Sequence, residues 1–188
     1  MKKITCILTT AILLINNYAF SQVAKVYICL NGTISFFSET PVENIDATSL
    51  TLNCILNTST NEINYLVDIA SFKFKKPLMQ EHFNEKYMES DKYPRATFKG
   101  KINEQIDWSK DGVYPITATG NLNIHNVEKP YTEKGTLTIK DGQFTFEGSF
   151  NVKTADHDIE VPTIVITNIA EVINVKHKCT LVPYIPKK

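Results

Sequence analysis

From Val26 to Leu181 the dominant period of the chain is two. Ile34 and Phe36 alternate with Thr33 and Ser35, and Leu50, Leu52, Cys54 and Leu56 with Ser49, Thr51 and Asn53. Ile63, Tyr65, Val67 and Ile69 alternate with Asn64 and Asp68, and Ala96, Phe98, Gly100 and Ile102 with Arg95, Thr97, Lys99 and Lys101. The same rhythm runs through Tyr114 to Leu122, Leu137 and Ile139, Phe144, Phe146 and Phe150, and Val175 to Leu181. Alternation of this kind puts apolar side chains on one face of a strand and polar ones on the other. Asn57 to Asn61, Asp111-Gly112 and Asp141-Gly142 separate the runs and read as hairpin turns. Roughly eight to ten evenly spaced strands predict an all-β, antiparallel barrel or sandwich, without alternating β and α units.

One segment breaks the rhythm. In residues 77–88 Met79, Phe83 and Tyr87 recur every fourth position, the spacing of one helical face. Pro77 suits a first helical position, and Tyr93-Pro94 disfavours helix beyond it. A single short helix is therefore expected, either covering one open end or plugging a seam of the barrel, or serving as a simple crossover.

The N-terminus carries a different pattern. Lys2 and Lys3 precede an apolar run from Ile4 to Ile15, and Ala19 and Ser21 supply the small residues of a cleavage site. We read residues 1–21 as a signal peptide cleaved after Ser21, and residues 22–188 as one domain of a periplasmic or secreted protein. The run is too short to span a bilayer, so no stable membrane insertion is expected once it is removed. Formal net charge is zero among 188 residues, which gives no basic field for nucleic acid. The remaining cysteines, Cys29, Cys54 and Cys179, fit no zinc spacing and read as buried small hydrophobes. A Cys29–Cys179 bond is left open, since the two strands become neighbours if the sheet closes on itself.

Three constellations could carry chemistry. Asp156-His157-Asp158 places two carboxylates around an imidazole, but neighbours on a strand face opposite ways, so a solvated loop is the expected state. His82 lies three residues from Glu85 on a helix, without the second histidine of a metalloprotease helix. No Gly-x-Ser-x-Gly elbow or phosphate loop is present. We therefore expect no catalytic residues, no metal and no cofactor. His125 and His177 fall in strand contexts, and His177 shares a face with Val175 and Cys179, where it could offer one polar contact to a ligand.

The block from Tyr87 to Gly100, Tyr-Met-Glu-Ser-Asp-Lys-Tyr-Pro-Arg-Ala-Thr-Phe-Lys-Gly, closely resembles the YceI-like family of exported bacterial proteins. Phe72-Lys73-Phe74 and Leu78 to Phe83 before it belong to the same close match, whereas Ile34-Ser35-Phe36 and the Gly120 to Pro130 segment, ending in a Lys129-Pro130 turn, match in order more weakly. Asn31-Gly32-Thr33 departs from the His-Ser common in other branches. The resemblance implies a lipocalin-like barrel of about eight strands whose interior holds a polyisoprenoid or fatty-acyl chain. An eight-stranded barrel is wide enough either to fill with side chains or to hold one ligand, and alternation does not choose between these. The expected lining is Ile34, Phe36, Leu52, Tyr65, Phe98, Ile116, Leu122, Leu137 and Phe146. The partner is thus an apolar small molecule, and a homodimer is compatible with the reading. The alternative is a structural or interaction module with a side-chain-filled barrel.

Overall fold

A computed structural model of the chain describes residues 25–39, 44–160 and 170–186. The predicted signal segment and its cleavage point lie outside these residues. In chain order the strands are β1 (Val26–Ser38), β2 (Ile45–Asn57), β3 (Glu62–Asp68), a two-residue β4 (Lys73–Phe74), β5 (Arg95–Ile102), β6 (Gly112–Ile124), β7 (Val127–Lys140), β8 (Gln143–Lys153) and β9 (Val172–Pro183). Neighbours pair in the order β1-β9-β8-β7-β6-β5-β3-β2, all antiparallel, and β1 pairs β2 to close the ring. The result is the expected eight-stranded barrel, with β4 flanking β2 at one rim. Closure removes the unpaired edges that an open sheet would present.

Turn chemistry sets the register. Asn57 to Asn61 joins β2 to β3, and Asp141-Gly142, both with positive φ, joins β7 to β8 in the geometry a two-residue hairpin prefers. Asp111-Gly112 instead ends a long β5–β6 loop. The β6–β7 hairpin turns at His125-Asn126, with φ of 54° and 60°. His125 is therefore a turn residue, not a strand residue. Lys129-Pro130 lies within β7, where Pro130 faces Asn121, and makes no turn.

Paired bulges correct a second expectation. Register shifts between Cys29 and Gly32, and between Gly32 and Ile34 where β2 passes from Leu52 to Ser49, insert extra residues into β1 and β2. The alternation slips there. Ser49 turns inward and is buried, while Leu50, expected inside, is 66% exposed, as is Leu30 in the bulged stretch of β1 at 65%.

The helical excursion sits between β3 and β5, which are themselves paired. It leaves after Asp68 and returns at Arg95, and these two face each other with Nε to Oδ1 at 3.2 Å. It contains a short 3-10 turn (Ile69–Ser71), β4, the helix α1 (Pro77–His82) and a π turn (Phe83–Tyr87). In the π turn the Met88 amide donates to the Phe83 carbonyl, five residues back. That added residue carries both Tyr87 and Met88 into the interior. A strict spacing of four accounts for Tyr87 alone.

The barrel's two halves are packed differently. At the end sealed by the β5–β6 loop, Phe144 stacks on Tyr27 at 4.1 Å and meets Trp108 at 5.5 Å. Leu56, Ile63, Ile102, Ile116, Leu137, Ile139, Phe146 and Leu181 fill the section above them, each almost wholly withdrawn from water. Close strand approach helps: a Cβ on Gly120 would stand 2.1 Å from the Lys99 carbonyl oxygen, so only glycine fits there. The other end is hollow.

Candidate functional site

The hollow half contains a partly open cavity of about 370 Å³ beneath the helical excursion. That volume falls in the range of small-molecule sites. Inward positions of the strands build its wall: Ile34 of β1, Leu52 of β2, Val67 of β3, Phe98 of β5, Leu122 of β6, Phe150 of β8 and Val175 of β9. Met79, His82 and Phe83 of the excursion, with Tyr87 and Met88, form the roof. Phe83 ties roof to barrel through ring contacts with Phe36 at 5.4 Å, Phe72 at 5.8 Å and Phe74 at 5.0 Å. The excursion thus covers one end of the barrel, the first of the roles its sequence allowed.

Six of the nine expected lining residues, Ile34, Phe36, Leu52, Tyr65, Phe98 and Leu122, border this cavity. Ile116, Leu137 and Phe146 also point inward, but they belong to the filled half and do not border it. Alternation assigns a face correctly in each case. It carries no information about depth along the barrel axis, which separates the two groups.

The floor between the halves is polar. His177 Nε2 lies 3.1 Å from Glu133 Oε2, and the Tyr65 ring lies 4.9 Å from the imidazole. Glu133, His177 and Tyr65 retain only 4%, 6% and 8% exposure, and all three border the cavity. Among the described residues, Glu133 Oε1, His177 Nδ1 and the Tyr65 hydroxyl make no hydrogen bond. Burial opposes charge on His177, yet the Cys179 and Glu133 side chains beside it outweigh burial and raise its pKa from 6.5 to about 9. Burial, reinforced by Cys54 and Glu133, pushes the Tyr65 hydroxyl well above the usual phenol range. Cys179 is drawn down to about 6, first by the Cys54 thiol and then by His177, against the effect of its own burial. Gly148 makes the space for this arrangement: a Cβ there would stand 2.4 Å from His177 Nε2.

Glu133 was not among the expected site residues. Its signal lay in the alternation, because stepping back by twos from Ile139 and Leu137 reaches Gly135, Glu133 and Tyr131. A glutamate on an apolar face is the informative exception.

The other candidate groups fall elsewhere. His157, expected in a solvated loop, is 2% exposed. It sits in a 3-10 turn (Thr154–His157), its Nδ1 lies 3.0 Å from the Val127 carbonyl, and its own carbonyl meets His125 Nδ1. Its role is to pin the turn to β7. Cys29, Cys54 and Cys179 are buried free thiols, with Cys29 directly opposite Cys54 and no disulfide between Cys29 and Cys179. Among the described residues no cluster of His, Cys, Asp or Glu could hold a metal ion, and no helix is long and apolar enough to cross a membrane.

The family model described as the YceI-like domain matches residues 22–181. Among solved structures, the chain is similar to a polyisoprenoid-binding domain from Saccharophagus degradans implicated in plant cell wall breakdown, with TM-score 0.69 and 13% identity over 86% of this chain and 99% of that one. It is also similar to BcnA of Burkholderia cenocepacia (TM-score 0.65, 16% identity, 80% and 96% covered). The YceI protein of Campylobacter jejuni follows the same fold (TM-score 0.59, 19% identity, 80% and 90% covered). No curated protein sequence matches the chain.

Proposed function

Since the chain belongs to the YceI-like family, we propose that it is an exported, non-catalytic carrier that holds one long apolar molecule, a polyisoprenoid or fatty-acyl chain, under the helical roof. The observation that carries this reading is the cavity under the roof, bounded mostly by aliphatic and aromatic side chains. Burial supplies the driving force: each 100 Å² of apolar ligand surface removed from water contributes about 2.5 kcal/mol. The polyisoprenoid-binding domain of Saccharophagus degradans, which shares this fold, supports the ligand class. Lys2, Lys3 and the apolar run behind them support export to the periplasm or beyond.

Native mass spectrometry of the protein purified from its own compartment, followed by solvent extraction, tests the reading. A stoichiometric apolar compound is the expected result. A protein that stays clean after incubation with polyprenol and fatty-acyl mixtures would overturn it in favour of a surface-acting module.

A further inference from the structure

We propose that the cavity floor is a head-group site that selects a neutral, hydrogen-donating end group, an alcohol, phenol or primary amide, and rejects carboxylate and phosphate ends. This rests on the carrier reading above and names the chemistry of the cargo's polar end. Glu133, His177 and Tyr65 are each more than nine-tenths buried, and all three border the cavity. Each keeps a polar atom without a hydrogen bond of good geometry among the described residues, with the Tyr65 hydroxyl near the Glu133 carboxylate and the His177 ring near the Cys179 thiol. Such an atom costs about 1–3 kcal/mol, and three at one place make a poor structural device. An apolar trio of similar shape would stabilise the barrel better.

The free capacities define the complement. A carboxylate oxygen only accepts, so Glu133 Oε1 requires a donor. The Tyr65 hydroxyl, held protonated, can donate to the oxygen of an incoming head and also accept from it. An alcohol, phenol or primary amide supplies both functions in one small group. An anionic head supplies no donor. The imidazolium of His177 lies against Glu133, so the floor has no spare positive charge to neutralise an anion. A ligand carboxylate would leave a net negative charge in an apolar enclosure. Gly148 indicates that the site is built, because any side chain there would displace the His177 ring.

The test compares four probes of one chain length on the delipidated full-length mature protein: oleyl alcohol, oleamide, oleate and 1-octadecene. At neutral pH the alcohol and amide should bind at least about tenfold more tightly than oleate. Glu133→Gln should shrink that ratio to below about threefold, chiefly by improving oleate, with the fold checked by circular dichroism. Tyr65→Phe keeps the ring and should weaken alcohol and amide while leaving 1-octadecene unchanged, which provides a readout if Glu133→Gln fails to fold. Oleate binding as tightly as oleyl alcohol, or a ratio unaffected by both variants, would overturn the head-group site and leave the carrier reading standing. Failure of all four probes, the bare hydrocarbon included, would overturn the carrier reading and the head-group site together.

Discussion

One barrel wall encloses two interiors. Toward the β5–β6 loop, Phe144, Phe146, Leu137, Leu181 and Ile116 pack against one another at 2% exposure or less. Toward the roof, Phe36, Ala96, Ile124, Phe150 and Val175, on the inner face of the same barrel wall, stay half-buried around open space. Strand number and tilt are common to both halves, so barrel width does not decide whether the interior is hollow. Plugs decide it. At the filled end Trp108 and Ile106 drop from a loop onto the core. At the other end the helical excursion arches over the rim, and its aromatic cluster holds it at the edge instead of in the middle. The Glu133–His177–Tyr65 floor marks the border.

Truncation should break this symmetry most strongly. Phe144→Ala removes a ring with no exposure and should cost about 3–5 kcal/mol in urea unfolding. Phe36→Ala, beside existing space, should cost less than half as much, because its surroundings already lack partner atoms on one side. Equal losses would show that the hollow half is tightly packed in solution.

Enlargement is the converse. Ala118 has no exposure and lies among the filled-half residues, so Ala118→Phe should destabilise by about 1–3 kcal/mol. Ala96→Phe points into the cavity and should leave stability within about 0.5 kcal/mol while lowering uptake of 1-octadecene severalfold. An Ala96→Phe protein that binds the hydrocarbon normally would move the ligand elsewhere.

The split was invisible in the sequence, although most of the wall was not. Period-two runs sufficed for the barrel, its antiparallel order and the inward face of all nine expected lining residues. Four things escaped. The bulges that turn Leu50 out and Ser49 in come from the pairing of β1 with β2, which no local pattern records. The π turn that buries Met88 as well as Tyr87 is a one-residue adjustment inside an otherwise helical spacing. The inward glutamate of β7 was written in the alternation, but its partner His177 lies 44 residues away and only closure of the sheet brings them together. His157 was misplaced for a related reason: its hydrogen bond to Val127 spans 30 residues and draws the imidazole inward, while Asp156 and Asp158 on either side stay exposed.

The smallest expected effect lies at the border itself, where Cys179 belongs to the filled half and Glu133 to the cavity. His177 is raised from 6.5 to about 9, so its contribution to stability is fully present below pH 6.5 and is lost as pH rises through about 9. Cys179 is lowered from 9.0 to about 6, so its contribution is fully present above pH 9 and is lost as pH falls through about 6. The two slopes oppose each other over the same window, and the wild-type unfolding free energy should stay nearly flat between pH 6.5 and 9. Cys179→Ala removes one slope and leaves Glu133 holding the His177 proton. Unfolding free energy of that variant should then fall by about 1 kcal/mol across the window, the equivalent of roughly one pKa unit. Adding Glu133→Gln should remove the slope again. If Cys179→Ala alone stays flat in urea titrations across this range, the His177 charge is held from the filled half and not from the cavity, and the border must be redrawn below the imidazole.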